Sequence, residues 1–426
     1  MSFPRYGSYK ESGVEWLGEV PEHWEVLPLK CLFKIVGGST PKSDQEAFWD
    51  GDIIWVTPSD LSKRLSLYIG DSQRKITLEG LASCGTSLVP KNSIILSTRA
   101  PIGSLAIAET DLCTNQGCKS LVPSVKTETK LFGYLLSISS GELNIRGKGT
   151  TFLELSGDEL GAFKVPVPPN QEQQTIAAFL DRETIKIDAL IDEQQRLIGL
   201  LKEKRQSVIS HAVTKGLNPH VPMKDSGVEW LGDVPEHWEV KRLKRLLRLL
   251  TEKTNRRDNP IALENIQGWS GRFIPTETEF EGEGIAFERG DILFGKLRPY
   301  LAKVYLAETT GEAVGDFHVM RPTKGIDSRF SQYQILNREF IAIVDGSTFG
   351  AKMPRVSWDF LSNMVVATPP IQEQQIIAAF LDIETAKLAT LTTEAKTAIS
   401  LLLERRTALI SAAVTGKIDV RGLVRS

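Results

Sequence analysis

One passage of sixteen residues occurs twice in this chain, and it constrains the fold more than any other feature. Residues 11–26 read ESGVEWLGEVPEHWEV and residues 225–240 read DSGVEWLGDVPEHWEV. A second passage, residues 168–214, recurs at residues 369–415 with more than half of its positions unchanged. The stretches between these repeats do not clearly resemble each other. The sequence therefore predicts one frame, built twice around two different inserts that make similar contacts to two different targets.

The bulk composition is that of an ordinary globular protein with more than one domain. At 426 residues, with 41% hydrophobic and 24% charged residues, each half can bury its own core. No apolar run approaches the ~20 residues that a membrane helix needs, and the polar N-terminus has no signal-peptide core. We therefore expect a cytoplasmic protein without a membrane partner. The net charge of −2 argues against coating nucleic acid by overall charge but leaves room for local basic faces.

Motifs of metal sites and of common catalytic sites are missing from the sequence. The cysteines all lie in the first half and lack CxxC spacing, so we interpret them as small buried thiols: Cys31, Cys84, Cys113 and Cys118. We find no phosphate-binding loop, dinucleotide glycine fingerprint, HExxH, GxSxG or Asn-Pro-Pro-aromatic tetrapeptide. These absences favour a recognition protein that has no catalytic residue, metal or cofactor of its own.

The sequence patterns of both inserts predict mixed α/β structure, because short β-rich runs bounded by Gly, Pro, Ser and Asp alternate with helical segments. The predicted strands are Ile53–Thr57, Ser93–Thr98, Leu105–Ala108 and Lys164–Val167 in the first insert, and Asp291–Phe294, Lys303–Leu306 and Asn363–Thr368 in the second. The predicted helices include Glu128–Ser137 and Ser328–Ile343.

The closing repeats predict two long helices that each follow a Pro-Pro pair. Apolar residues recur at steps of four and three, at Ile176, Leu180, Ile187, Leu190, Leu197, Leu201 and Val208 in the first copy and at Ile377, Leu381, Leu388, Leu391, Leu402 and Leu409 in the second. Asn170 is a candidate N-cap, and Gly216 and Gly416 stand where left-handed C-caps belong. The matching stripes predict a coiled coil within the chain; the alternative is that each stripe lies on a neighbouring domain.

The predicted fold is mixed α/β (α+β), with two globular domains separated by a long antiparallel two-helix coiled coil and related by an internal pseudo-twofold repeat. The predicted division is a first domain with the opening repeat (1–167), a first long helix (168–216), a second domain with the opening repeat (217–368), a second long helix (369–416) and a C-terminal tail (417–426).

The repeated tryptophan passage has two interpretations. As core residues, its indoles pack beneath the frame. As a docking surface, the passage meets two identical partner subunits, one per half, which would explain why its polar residues also recur. The candidate docking residues are Trp16, His23, Trp24, Trp230, His237 and Trp238.

Basic residues that could contact nucleic acid fall in several short segments. The richest is residues 241–257, whose amphipathic first part we interpret either as a solvated helix face or as a phosphate contact. Arg, Lys, Asn and Gln on loops are the side chains that read base edges, and glycines allow close approach to phosphate. The candidates are Thr98, Arg99, Asn115, Lys119, Arg146, Lys148 and Thr150 in the first insert, and Lys253, Asn255, Arg256, Arg257, Lys296, Arg298, Tyr300 and Lys352 in the second.

The whole chain resembles the specificity (S) subunit of type I restriction–modification systems. The resemblance rests on the duplicated SGVEWLG(E/D)VPEHWEV passage, the duplicated PP-x-QEQ-x-IAAFLD-x-ET helix, and the segments GDIIWVTPSDL and LSTRAPIG. It implies that the inserts are target recognition domains, each of which reads one half of a bipartite site in double-stranded DNA. The long helices would act as a ruler between the two half-sites.

The same resemblance implies a division of labour. The S subunit is non-catalytic and docks two methylation (M) subunits, which bind S-adenosylmethionine and methylate adenine, while restriction (R) subunits use ATP and Mg to translocate and cut DNA. The rival functions are a two-armed scaffold that binds proteins and, from the enzyme class, a self-sufficient DNA methyltransferase or nuclease. Loops rich in Arg, Asn and Gly favour the DNA-binding interpretation.

Overall fold

The chain folds into two compact units that each take one insert and part of each closing repeat. A computed structural model describes residues 3–62, 66–99, 101–124, 127–149, 153–254, 259–276, 283–348 and 353–423. The first unit comprises Met1–Glu193 and Ala398–Ser426, and the second comprises Gln194–Thr397. Each unit therefore contains one half of each long helix, and each is described by itself below.

The first unit is a mixed α/β body. Its strands are β1 (Tyr9–Glu11), β2 (Glu19–Pro21), β3 (Glu25–Pro28), β4 (Phe33–Gly37), β5 (Trp49–Val56), β6 (Tyr68–Ile69), β7 (Lys75–Ile76), β8 (Ile94–Ser97), β9 (Leu105–Ala108), β10 (Cys113–Thr114), β11 (Cys118–Pro123) and β12 (Lys164–Val167). Its helices before the closing repeat are α1 (Pro58–Leu61), α2 (Leu78–Ala82), α3 (Thr129–Ile138), α4 (Ser140–Ile145) and α5 (Gly157–Ala162).

The main sheet of the first unit runs in the order β4-β11-β8-β9-β6, beside a smaller sheet β10-β5-β7. Every residue of β8 and β9 is buried, which explains why these strands are continuous apolar runs. Strand β12 returns to pair antiparallel with β3 of the opening repeat. This pairing closes the insert, because the segments before and after it meet side by side.

The second unit repeats this plan with different strand lengths. Its strands are β13 (Met223–Asp225), β14 (Asp233–Pro235), β15 (Glu239–Arg242), β16 (Leu247–Leu250), β17 (Lys253–Thr254), β18 (Pro260–Ile261), β19 (Ile266–Gln267), β20 (Arg272–Phe273), β21 (Gly284–Phe287), β22 (Ile292–Gly295), β23 (Val304–Leu306), β24 (Gly311–Val314), β25 (Phe317–Pro322) and β26 (Val365–Thr368). The helices within its insert are α7 (Ser328–Ile335), α8 (Arg338–Gly346) and α9 (Trp358–Asn363). Its sheets run β16-β25-β22-β23 and β17-β21-β24-β18, and β26 pairs with β15.

The helical interpretation of the basic stretch that begins at Lys241 is wrong. Within the described residues this stretch is extended, with β15, a short 3-10 turn over Leu243–Arg245, and then β16 and β17. Strand pairing overrides the amphipathic pattern, because β15 and β16 both lie beside partner strands of the insert. The predicted helix over residues 328–343 is likewise two helices, since Asn337 lies between them and caps α8 by accepting a hydrogen bond from the Glu339 N–H.

The closing repeats form the two predicted long helices, α6 (Asn170–Lys215) and α10 (Ile371–Val414). Gly216 and Gly416 follow them with φ values of 75° and 73°, which confirms the left-handed C-caps. In the first unit the two helices are antiparallel: Asp188 pairs with Arg406 at 2.9 Å, and Ile176 shares a core with Ala413. In the second unit Ile209 and Val213 share a core with Ile377 and Leu381.

The predicted apolar stripe is not buried along its full length. Ile176, Leu180 and Ile377 are at most 1% exposed, whereas Leu190, Leu197 and Leu391 are 41–46% exposed. The buried positions lie where the insert also packs against the helix, because α3 and α7 cover the first turns of α6 and α10. The heptad pattern therefore identifies the helices, but it does not distinguish their buried ends from their more open middle parts.

Repeated polar residues at the start of each long helix fasten the inserts to it. The Gln173 side chain accepts from the Glu128 N–H and donates to the Pro168 carbonyl. Gln374 does the same with the Asp327 N–H and the Pro369 carbonyl. The recurrence of QEQ in both closing repeats is thus explained by contacts within each unit.

Candidate nucleic-acid interface

In the first insert, the segments that contain Thr98, Asn115 and Lys148 meet around Thr98, which directly follows strand β8. The Thr98 N–H donates to the Gly117 carbonyl at 2.8 Å, and the Thr98 carbonyl accepts from the Leu155 N–H at 3.1 Å. The Lys148 and Glu154 backbones exchange two hydrogen bonds of 3.0 Å. Thr98 is itself fully buried, and its hydroxyl donates to the Gly117 carbonyl. It therefore holds the loops together, and a direct contact of its side chain with DNA is not available.

The charged side chains at this first junction lie at the surface. Arg99 pairs with Glu154 at 2.7 Å, and both side chains are about 40% exposed. Lys148 pairs with Glu159 at 2.6 Å and is 78% exposed. The Lys148 ammonium lowers the pKa of the Glu159 carboxyl. Such exposed pairs are worth little in water and can be exchanged for phosphate or base contacts.

Arg146 is held more firmly than its neighbours. Its guanidinium lies 5.3 Å from the centroid of the Phe163 ring, and its Nε is buried without a hydrogen-bond partner among the described residues. Asn144, two residues earlier, donates to the Ile102 carbonyl and so joins this segment to the loop after β8. A fixed guanidinium is suited to bidentate hydrogen bonding, because little side-chain entropy remains to be lost.

The segment 115–119 forms a tight turn beside Thr98. Asn115 is partly buried, and its Oδ1 accepts from the Gly117 N–H at 2.9 Å, which leaves the amide NH2 as its free donor group in this turn. Lys119 is partly exposed on β11. The hydroxyl of Thr40 donates to the Oε1 of the exposed Gln116. Sequence reasoning did not select Thr40, because it lies far from the loop in the chain and no local pattern marks it.

The second insert builds the same junction from different residues. Lys296 follows β22 as Thr98 follows β8: its N–H donates to the Asp316 carbonyl at 2.8 Å, and its carbonyl accepts from the Val356 N–H at 3.1 Å. The bridge between Leu297 and Arg355 matches the bridge between Arg99 and Glu154. Each junction leads into a short helix with a serine N-cap, at Ser156 and Ser357.

The charges of the second junction are arranged differently. Arg355 pairs with Asp316 at 2.8 Å. Arg298 and Tyr300 are exposed, and Arg298 has a φ of 51°, in the left-handed region that non-glycine residues seldom adopt. Arg355 was missed at the sequence level, because it follows Pro354 and lies outside the glycine-containing segment that ends at Lys352.

The buried imidazole of His318 lies close to Lys296. Burial, aided by the nearby Lys296 ammonium, lowers the pKa of His318 to about 4, so the ring is neutral at physiological pH. Its Nε2 lies 3.2 Å from the Val356 carbonyl and donates to it. His318 thus supports the backbone of the junction without adding to its positive charge.

The remaining candidates of the second insert are only partly described. Lys253 is 73% exposed and pairs with Glu283 at 2.8 Å, a contact that raises the pKa of the lysine. Asn255, Arg256, Arg257 and Lys352 lie outside the described residues, as does Thr150 of the first insert. The structure therefore brings Lys296 and Arg298 together with Arg355 and leaves these other positions as predictions.

The repeated tryptophan passage is divided between core and surface. Trp24 and Trp238 are fully buried, so direct docking of a partner on these two indoles is not available. Trp16 is partly exposed and stacks on Phe163 with ring centroids 5.4 Å apart, and Trp230 contacts Phe340 edge-on. His23 and His237 are exposed and lie 2.8 Å from the glutamates Glu172 and Glu373 of the long helices.

Cys113 and Cys118 are buried, and burial raises the pKa of both thiols to about 12. Cys31 is exposed and Cys84 is partly exposed, so the interpretation as buried thiols is wrong for these two. Over the described parts of the chain, no cluster of three or more His, Cys, Asp or Glu side chains is placed to hold a metal ion. Among the helices that the structure describes, none is long and apolar enough to span a bilayer.

Comparison with known proteins agrees with this architecture. The family described as "Type I restriction modification DNA specificity domain" matches residues 21–197 and again residues 235–401. The specificity subunit of type I restriction enzyme MjaIX from Methanocaldococcus jannaschii is 29% identical over 325 residues, which cover 73% of this chain and 71% of the relative. The MjaVIII specificity subunit of the same organism is 23% identical over 394 residues, covering 87% and 88% of the two chains.

Solved structures share the fold at low sequence identity. A chain from work on complex assembly and conformational transition of the type I R-M system superposes with a TM-score of 0.70 at 14% identity, covering 93% of this chain and 98% of that one. The HsdS subunit from Thermoanaerobacter tengcongensis gives a TM-score of 0.54 at 14% identity, covering 94% and 98%.

The family model matches well over half of the chain. The chain therefore belongs to the family of type I restriction–modification DNA specificity domains. The curated relatives are specificity subunits, and this chain is a specificity subunit of type I restriction–modification systems. The resemblance inferred from the duplicated passages is confirmed.

Proposed function

We propose that each insert reads one half of a bipartite site in double-stranded DNA. The two recognition domains are residues 1–167 and 217–368, and the long helices between them fix the length of unread DNA. The observation that carries this proposal is that both inserts contain the same loop junction, around Thr98 in the first insert and around Lys296 in the second. One backbone arrangement presents Arg99 and Lys148 in the first insert, and Lys296, Arg298 and Arg355 in the second. The same approach to DNA would then read two different sequences.

We further propose that the chain is non-catalytic and acts with partner subunits. Two M subunits would carry S-adenosylmethionine and methylate adenine, and R subunits would carry ATP and Mg. Trp16, Trp230, His23 and His237 are the repeated residues with exposed surface that could meet the M subunits. The similarity to a chain from a type I complex supports this assignment.

Methylation mapping tests the proposal directly. Host DNA would be sequenced for modified adenine in cells that express the M subunits with this chain, and in cells that express them alone. We expect one two-part motif with a fixed gap, and its loss when the chain is absent. Modified sites that do not change when the chain is absent would contradict the proposal.

Two further measurements separate the rival functions. A DNA reader loses affinity steeply as salt rises, because counterions are released on binding, whereas a scaffold for proteins shows no such DNA binding. Incubation of the isolated chain with DNA and a labelled methyl donor tests the enzyme alternative. We expect no transfer of label, and turnover by the isolated chain would favour a self-sufficient methyltransferase.

A further inference from the structure

The N-terminal and C-terminal segments of the chain cover one face of α6 near the start of this helix. Phe179, on this face of α6, is 1% exposed. The Phe3 ring packs edge-on against it, with centroids 5.8 Å apart. Arg182 lies over the same ring and donates to the Leu423 carbonyl at 3.1 Å. An aromatic residue of the N-terminal segment thus completes the surface of the first unit.

The equivalent face of the second long helix is open. Phe380 takes the place of Phe179 in the repeat and is 38% exposed, and Ile376 and Ile383 beside it are 61% and 58% exposed. These positions are four and seven residues apart, so they share one helix face. The corresponding residues of the covered copy are Thr175 and Arg182. The face that stays open is therefore the more apolar of the two, which is the pattern of a surface that another molecule covers.

A buried hydrogen-bond centre next to this face is complete in the first unit. Glu172 is 6% exposed. Its Oε1 accepts from the Tyr6 hydroxyl at 2.6 Å and from Trp24 Nε1 at 3.1 Å, and its Oε2 lies 2.8 Å from His23. Phe3 and Tyr6 therefore act together, one on the helix face and the other on the carboxylate.

The same centre is incomplete in the second unit. His237 still lies 2.8 Å from Glu373, but the Glu373 side chain is 30% exposed. Trp238 is fully buried, and its Nε1 has no hydrogen-bond partner within the described part of the chain. A buried indole N–H without a partner is costly, so this centre is suited to accept a further group.

We propose that the open face of Ile376, Phe380 and Ile383, together with Glu373, binds an extended segment of a partner subunit that carries an aromatic residue and, three positions later, a tyrosine. The aromatic ring would cover Phe380 as Phe3 covers Phe179. The tyrosine hydroxyl would donate to Glu373 as Tyr6 donates to Glu172, and this would draw the carboxylate towards Trp238 Nε1. The two halves of the duplicated frame thus present unequal docking surfaces.

The charge of the N-terminal segment indicates what kind of segment fits this site, and the contacts that the segment already makes favour a partner over a second copy of this chain. Residues 3–10 contain Arg5 and Lys10 and no acidic residue, so a segment of this type is complementary to the Glu373 carboxylate. In a second copy, however, the N-terminal segment is already held on its own first unit by the same contacts. Exchange between copies would break as many contacts as it forms, whereas a partner's segment adds contacts.

Peptide binding to the full-length chain tests this proposal. The probe is a synthetic peptide of the sequence MSFPRYGSYK with a fluorophore at its C-terminus, and the readout is fluorescence anisotropy. We expect saturable binding to one site, weakened at least about tenfold when the peptide carries Phe3→Ala and several-fold when it carries Tyr6→Phe. Absence of saturable binding would overturn the proposal.

Matched variants of the chain identify the site. Ile376→Glu and Ile383→Glu place a charge on the open face, and Leu401→Glu is the control, because Leu401 is 59% exposed elsewhere on α10. We expect the first two to weaken peptide binding at least about tenfold and the control to leave it unchanged. Equal effects of all three would contradict the assignment. Light scattering is the second readout, since a dimer abolished by Ile376→Glu would identify a second copy as the occupant.

This inference rests on the proposed function in one respect, namely that the segment comes from a subunit that assembles with this chain. The peptide experiment uses no DNA. Its failure would therefore leave the reading of DNA untouched, and loss of DNA reading would not affect the peptide-binding result.

Discussion

The hydroxyl of Tyr134 donates a 2.9 Å hydrogen bond to Oδ1 of Asp181, and this contact fastens helix α3 to the first long helix. Lys130 reaches the other oxygen of the same carboxylate at 2.7 Å. The second unit repeats the contact between Tyr333 and Asp382 at 2.7 Å. The FLD-x-ET part of the closing repeat is therefore retained in both copies by the need to hold each insert on its helix.

Removal of this hydroxyl should loosen one insert at a time. Tyr134→Phe deletes a part-buried hydrogen bond and leaves Asp181 with Lys130, so we expect a loss of about 1 kcal/mol in the free energy of unfolding. Tyr333→Phe should have a similar effect on the second unit. Denaturant unfolding followed by circular dichroism measures both. If the unfolding free energy of either variant differs from that of the unchanged protein by less than the experimental error, the contact adds no net stability.

Each junction should read its own half-site. Arg99→Ala should weaken binding at one half-site by about 5- to 150-fold, because a good base contact is worth about 1–3 kcal/mol. Arg355→Ala should do the same at the other half-site. Lys91 and Arg289 are exposed at the opposite ends of the same strands, β8 and β22, and their alanine variants are the controls. Binding to DNA libraries randomised in one half-site measures the effect, and a shift in both half-sites would contradict independent reading.

His318 should give the second insert a pH-dependent stability. Its folded pKa of about 4 lies below the unfolded value of 6.5, so the unfolded chain binds a proton that the folded chain excludes between these two values. The stabilisation is therefore fully present above pH 6.5 and is lost as pH falls to 4, by up to about 3 kcal/mol. His318→Gln can still donate to the Val356 carbonyl, and we expect its unfolding free energy to vary less over this range. Parallel pH profiles for the two proteins would contradict this assignment.

The fold was largely predictable because its signals are local and repeated. Duplicated passages identify two units, and apolar steps of four and three identify α6 and α10. Gly216 and Gly416 mark the helix ends, where a positive φ is needed. The helical interpretation of the basic stretch after Lys241 failed, because its strand pairing with β26 and β25 involves residues at least 69 positions away.

The candidate site was predictable only in part. The loops at Arg99, Lys148 and Lys296 were selected by composition, and the structure brings the first two together at Thr98. Arg355 escaped selection, since its position beside Leu297 follows from a backbone bridge that no sequence spacing reveals. The burial of Trp24 and Trp238 was one of two open interpretations, because repeated indoles serve equally well in a core and in an interface.

Exchange of one insert should change one half-site. Residues 241–368 would be replaced by the corresponding insert of another family member. The exchanged insert would be aligned so that the pairing of β15 with β26, which lie at its two ends, stays in register. We expect methylation mapping to show one new half-site, with the other half-site and the gap unchanged. A change in both half-sites would show that the two inserts do not read independently.

Lengthening the helices should change the gap between the half-sites. Four added residues make about one helical turn, or roughly 6 Å, so the apolar stripe turns by only about 40° while the spacing grows. The insertion would follow Leu197 in α6, with a matching one after Ala398 in α10, because the middle part of each helix is less buried than its ends. We expect the mapped motif to keep both half-sites and to gain unread base pairs between them. Altered half-sites with an unchanged gap would refute the role of the helices as a spacer, since the added residues lie outside both inserts.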